Sequence, residues 1–207
     1  TALHHTYLPQ LRFSEDLDFS SNQKPLTLKE VGAVFEPYEF LSVKKEYMSG
    51  ATIKIERLLY TGPLSHANSL KVEIDFLQNV VLPPKEMDYH NEFGIKTKVR
   101  VMDLREITAE KIRAMNDRVR YRDFYDFTMI CVKLNIDLEE VLELVRKKEV
   151  RKPISQHNIL SNWQLAREDK TNEKLSIHFA EESSDEQTEI QIKKLRFETI
   201  LKSSTHS

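Results

Sequence analysis

The chain has 207 residues, 40% of them hydrophobic, with 31 lysines and arginines against 33 aspartates and glutamates. Its length and apolar content suffice for one large domain or a compact pair, so disorder is not the default, and its charge balance restricts any nucleic-acid surface to a local patch. No apolar run approaches the roughly 18 residues of a membrane span, no basic-then-apolar leader is present, and the single cysteine, Cys131, cannot form an internal disulfide, so a reducing, cytoplasmic setting with no membrane association is expected.

Thr1 to Leu8 reads as the end of a short helix, with Leu3 and Tyr7 one turn apart and Pro9 stopping it. Arg12 to Phe19 then alternates as a strand, with Ser14, Asp16 and Asp18 on one face and Phe13, Glu15, Leu17 and Phe19 on the other. Asp16 and Asp18 are spaced about 6 to 7 Å along such a strand. That is near enough for both to reach one metal ion, and too near for both to stay charged in a dry site without a cation. Paired carboxylates with room left for water or phosphate are what Mg²⁺ prefers. The competing reading is an ordinary half-buried strand with its polar face in water.

Asn22 to Pro25 reads as a loop, and Leu26 to Val43 as helical with an interruption at Pro37. Ala51 to Tyr60 and Ser69 to Leu77 alternate as two strands at hairpin distance, Gly62-Pro63 ending the first. A long loop runs from Pro83 to Gly94, and Lys96 to Leu104 returns as a third extended segment. From Thr108, a candidate N-cap, the period becomes helical, with Lys111 and Arg118 two turns apart and so facing the same way. Tyr121 to Asn135 and Asp137 to Glu149 read as two further helices. Ser155 to Glu168, which carries the single tryptophan Trp163, packs back on them. Glu181 to Glu186 reads as a solvated linker, and Ile190 to Leu201 as a strand or an amphipathic helix.

Together Asp16, Asp18, Asp75, Lys111 and Arg118 supply three carboxylates and two cations, the inventory of metal-assisted phosphoryl transfer. Two divalent ions about 3.5 to 4 Å apart clamp the attacking and leaving oxygens in such chemistry. A third carboxylate bridges them or takes the attacking hydroxyl's proton, and Asp75 is the candidate. Its bland alternative is a solvated strand residue.

The run Thr1-Ala2-Leu3, then Arg12-Phe-Ser-Glu-Asp-Leu-Asp-Phe19, Lys71-Val-Glu-Ile-Asp75, Ala109-Glu110-Lys111-Ile-Arg113-Ala114, Arg118 and Arg122-Asp123-Phe-Tyr-Asp126, resembles the AbiEii/AbiGii toxin family. These are nucleotidyltransferases of the DNA polymerase β superfamily, related to MenT-type toxins. The resemblance implies that Asp16, Asp18 and Asp75 are the metal-binding acids and, with Asp126, the catalytic residues. It likewise implies that Thr1, Arg12, Ser14, Lys111 and Arg118 line the nucleotide site, Lys111 gripping triphosphate. Tyr121, Phe124 and Tyr125 are read as core. In the family a Gly-Gly pair precedes Thr-Ala-Leu, where glycine lets backbone amides approach phosphate closely; here the chain starts at Thr1, so the N-terminal region is expected to be incomplete.

The expected fold is α/β (α+β), a nucleotidyltransferase-like mixed sheet flanked by helices over residues 1–107, a mainly helical region over 108–207, and the cleft between them. By resemblance the chain is the toxin of a toxin-antitoxin or phage-defence system, with a cognate antitoxin as partner. It would transfer a nucleoside monophosphate from an NTP, with Mg²⁺, to an acceptor such as the 3′ end of tRNA. Arg146, Lys147, Lys148, Arg151 and Lys152 are a candidate RNA patch, weighed against a helix end made soluble by lysines. Two alternatives stand beside this: modification of a small molecule or protein by the same chemistry, and a non-catalytic nucleotide- or partner-binding module.

Overall fold

The computed structural model describes residues 1–14, 16–21, 26–62, 65–76, 78–148 and 150–201. The expected loop Asn22–Pro25, the turn residue Pro63 and the strand end Leu77 lie outside them. The chain forms two compact units, one of Thr1 with Ser14–Val80, the other of Ala2–Phe13 with Val81 onward.

The first unit is a four-stranded sheet in the order β1-β4-β3-β2, from β1 (Leu17–Ser20), β2 (Leu41–Met48), β3 (Thr52–Thr61) and β4 (Ala67–Asp75). β1 runs parallel to β4, and the other neighbours are antiparallel. Alternation decides which side is buried: Leu17, Ile53, Ile55, Val72 and Ile74 join Val31 and Phe35 of helix α1 (Leu28–Phe35) in one apolar cluster. Thr27 caps α1, its hydroxyl accepting from the Glu30 amide while the Glu30 carboxylate accepts from the Thr27 amide.

The expected helix over 26–43 is therefore corrected. It ends at Phe35, and Leu41–Met48 is a strand paired with β3 from Leu41↔Tyr60 to Met48↔Ile53. Pro37 blocks helical continuation, and beyond it Leu41 and Val43 alternate with Ser42 and Lys44. The expected strand over 12–19 is also shorter, because only Leu17–Ser20 pairs with β4, whereas Arg12 bridges Phe179 in the second unit.

The second unit opens with a π-helical turn, Leu3–Tyr7, closed by the Leu8 amide on the Leu3 carbonyl at 2.9 Å. The long loop expected after Pro83 contains a strand, β5 (Lys85–Asp88), paired antiparallel with β6 (Lys98–Val101). Six helices follow: α2 (Leu104–Asp117), α3 (Tyr121–Lys133), α4 (Leu138–Arg146), α5 (Gln156–Glu168), α6 (Lys170–Ser176) and α7 (Asp185–Lys194).

α2 starts one turn before the expected Thr108. Asp103 is its cap, accepting from the Arg105 amide at 2.9 Å, and Thr108 is internal, its hydroxyl donating to the Leu104 carbonyl. The aspartate supplies a charged acceptor to the orphan amides of the first turn. The expected linker Glu181–Glu186 is likewise corrected. Ser184 and Gln187 form a capping box that starts α7 there, so Asp185 and Glu186 occupy the first turn of a helix, while Glu181, Glu182 and Glu186 remain exposed.

The core of this unit is an aliphatic cluster with aromatic rings at its centre. Trp163 is fully buried against Tyr121 and Phe124, with ring centroids 6.1 and 5.3 Å away. Tyr121, Phe124 and Tyr125 are core residues, as expected, and not exposed base-stacking aromatics. Cys131 packs among the same apolar residues, and burial pushes its thiol up to about 12, which leaves it unreactive at neutral pH. Among the described residues no helix is long and apolar enough to cross a membrane.

Candidate functional site

Two groups of the expected residues come together, one within each unit. In the first, Thr1 donates its hydroxyl proton to the Asp16 carbonyl, so the 2.9 Å contact with Ser14 has the Ser14 hydroxyl donating to Thr1. This tie fixes the backbone immediately before β1. Asp18 lies on the strand opposite in parity to the half-buried Leu17 and is exposed.

The parallel register sets Asp18 beside Glu73 and Ser20 beside Asp75. The acid opposite Asp18 on the neighbouring strand is thus Glu73, which spacing did not single out although it alternates with Asp75 on one face. Asp75 accepts a hydrogen bond from the Gln78 amide at 3.0 Å. Lys71 stands within this acidic face, its Nζ 4.0 Å from Asp16 and 3.9 Å from Glu73, while Lys54 reaches Glu73 at 3.0 Å. Among the described residues no three carboxylate, imidazole or thiol side chains converge on a common metal position. The donors are all carboxylate oxygens and an ammonium ion already stands among them, so their chemistry suits a hard cation.

The second group is tighter. Asp126, on α3, is fully buried and accepts from Arg12 Nε and Nη2 at 2.6 Å each, from Lys111 Nζ at 2.7 Å and from His4 Nε2 at 3.0 Å. Asp123, one turn earlier, accepts from the same Lys111 at 3.1 Å and from Arg118 Nε at 2.8 Å. The expected helical spacing of Lys111 and Arg118 is corrected, because α2 ends at Asp117 and Arg118 is its C-cap with an extended backbone; the two side chains nevertheless meet at Asp123.

Burial works against charge on these carboxylates, but the cations outweigh it. Lys111 and Arg12 hold Asp126 far below the usual carboxylate range, and Lys111 and Arg118 hold Asp123 below it. The converse applies to Lys111, where burial opposes the charge and Asp126 with Asp123 nevertheless raise its pKa. Desolvation wins only at His4, whose pKa is lowered. Lys111 keeps 19% of its side chain exposed, and two of its three N–H donors are taken; the third has no protein acceptor among the described residues.

Local structure explains how the group is held. Arg12 is fixed by backbone pairing, the Phe13 amide donating to the His178 carbonyl and the Ala180 amide to Leu11. His4 projects from the π-helical turn. Its neighbour His5 stacks on Tyr89 at 4.8 Å and bonds the His90 carbonyl, tying that turn to the β5–β6 hairpin. His4 carried no signal in the sequence, and Asp123 carried one only as part of Arg122-Asp123-x-x-Asp126.

The candidate basic patch is corrected at one of its five members. Lys148 is buried and ion-paired with Glu106 and, at 3.1 Å, with Glu110; the other Glu106 oxygen accepts the Val81 and Leu82 amides. Arg146 pairs with Glu143 one turn back on α4. Lys147, Arg151 and Lys152 are exposed.

The sequence profile of the family described as "Nucleotidyl transferase AbiEii toxin, Type IV TA system" matches residues 1–203. None of the curated proteins compared matches the chain. Among solved structures, MenT4, a nucleotidyltransferase toxin from Mycobacterium tuberculosis H37Rv, is similar with a TM-score of 0.55 and 16% identity, over 95% of this chain and 82% of that one. The crystal structure of a "putative nucleotidyltransferase" from H. pylori gives a TM-score of 0.49 and 18% identity, over 89% and 80%. The likeness to MenT4 shows that the mixed sheet and its helices form a nucleotidyltransferase-like fold.

Proposed function

We propose that this chain, which belongs to the AbiEii family of nucleotidyltransferase toxins of type IV toxin-antitoxin systems, transfers a nucleoside monophosphate from an NTP to the 3′ end of an RNA, with tRNA as the first acceptor to test. The observation that carries this reading is Lys111, held charged between Asp123 and Asp126 with one donor left over. A lysine so clamped is a fixed cation for a polyphosphate.

In this reading Lys111 and Arg118 hold the triphosphate. Arg12 and Asp126 are positioning residues: Asp126 spends both its oxygens on Arg12, Lys111 and His4, so it orients cations and takes no proton. In the first unit Asp16, Asp18 and Asp75 would hold Mg²⁺, and the Thr1 and Ser14 hydroxyls line the strand entry. The metal, when bound, neutralises charge on the phosphates. In the reaction the acceptor hydroxyl oxygen forms a bond to the α-phosphorus, the bond from that phosphorus to the leaving pyrophosphate breaks, and the hydroxyl proton passes to a carboxylate, for which Asp75 is proposed. The protein would act in the cytoplasm, opposed by its antitoxin, and phage defence is its proposed setting.

The test is incubation with each α-labelled NTP, Mg²⁺ and total RNA, with small-molecule and protein acceptors in parallel. Label on RNA supports the proposal. Label on another acceptor moves the substrate class, and no label anywhere leaves a binding module in place of an enzyme.

A further inference from the structure

The imidazole of His4 is almost wholly buried, and its two nitrogens differ. Nε2 lies 3.0 Å from Asp126 Oδ1, whereas Nδ1 has no hydrogen-bonding partner among the described residues. A carboxylate held ionised by Arg12 and Lys111 can only accept, so the proton between His4 and Asp126 belongs to Nε2. A second proton on Nδ1 would be a buried donor with nothing to receive it, which costs about as much as a lost hydrogen bond and adds a third cation to the same carboxylate. The charged groups that act on the ring are Asp126, Arg12 and the amino group of Thr1.

Asp126 needs such a donor. Arg12 approaches it as a two-pronged fork while Lys111 approaches Oδ2 alone, which leaves Oδ1 shared between Arg12 Nε and His4. A carboxylate free to rock about its Cβ–Cγ bond would let Lys111 slide toward Asp123, 3.1 Å away. The imidazole, set by the π-helical turn Leu3–Tyr7, blocks that rotation.

From this geometry we infer that His4, neutral and protonated on Nε2, is the positioning residue that orients Asp126 and through it Arg12 and Lys111. The inference rests on reading the Lys111 cluster as the polyphosphate grip. It goes further by assigning to a residue outside the motif the alignment of that grip.

Glutamine carries its amide nitrogen about where His4 has Nε2, and asparagine about where it has Nδ1. The experiment combines ring ¹⁵N NMR of His4, assigned by its loss in His4→Gln, with calorimetric binding of inorganic tripolyphosphate to the full chain and to His4→Ala, His4→Asn and His4→Gln. The expected result is an Nε2-protonated, Nδ1-bare ring from about pH 8 to about pH 6. Affinity should fall about tenfold in the Ala and Asn variants and stay within about threefold of the parent in Gln.

Protonation on Nδ1 or on both nitrogens, or a Gln variant no better than Asn, overturns the inference, and where His4→Gln fails to fold the loss of the signal in His4→Asn or His4→Ala assigns the ring. A parent chain that does not bind tripolyphosphate overturns the grip and the inference together. Binding with the expected His4 pattern, but no transfer from any NTP, sinks only the transferase reading.

Discussion

Arg12 and Asp126 are 114 residues apart in sequence and meet as a fork on a carboxylate, both guanidinium contacts at 2.6 Å. The pair is buried at both ends and shares its carboxylate with Lys111 and His4. Its geometry decides how several substitutions should behave.

Asp126→Asn keeps the volume and removes the charge, leaving Arg12 and Lys111 facing a neutral amide. Breaking one side of a buried pair costs about 3 to 5 kcal/mol. Trp163 is the single tryptophan and fully buried in the same unit, so its fluorescence reports the unfolding. The denaturant midpoint should drop by an amount matching that cost, and a loss under about 1 kcal/mol would show the cluster to be loosely held.

Acid should destabilise the chain in two steps. His4 has a folded pKa below its unfolded one, so its share of stability is complete above about pH 6.5 and is lost as pH falls through the folded value. Asp123 and Asp126 are also lowered, so theirs is present above about pH 4 and is lost only below it. His4→Gln, which cannot titrate, should flatten the stability curve below about pH 6.5 and leave the more acidic fall unchanged. Parallel curves for parent and variant would contradict a neutral His4.

Asp16→Ala and Asp18→Ala remove partly or fully exposed side chains. Stability should change by no more than about 0.5 kcal/mol. Nucleotide transfer should fall by at least about 100-fold if these acids serve the reaction. Thermal melts and labelled-NTP turnover on the same preparations separate the two effects, and full turnover in either variant removes that residue from the mechanism.

Lys148→Ala should unfold the chain more easily, by about 3 to 5 kcal/mol, because it strands Glu106 in the core. Lys147→Ala with Lys152→Ala, at exposed positions, should leave the melting temperature nearly unchanged. Equal melting of the two variants would mean that Lys148 is not held as a buried cation.

The sequence by itself determined the elements whose periodicity is strong. β3 and β4 follow their alternation, α3 and α4 fall where helices were read, and the order of the short motifs carried the family. Those signals are local, written in neighbours two, three or four residues apart. Tertiary structure alone decided the rest. Leu41–Met48 became a strand because β3 was there to pair its backbone. Lys148 passed from surface to core because Glu106 awaited it, and Glu73 stood opposite Asp18 because parallel register, not spacing, sets that partner. His4 shows the limit most plainly: one of two adjacent histidines in a short turn has no pattern of its own, and its role exists only because Asp126, 122 residues on, is folded against it. Long-range partners fix burial and charge, and no local window of residues contains them.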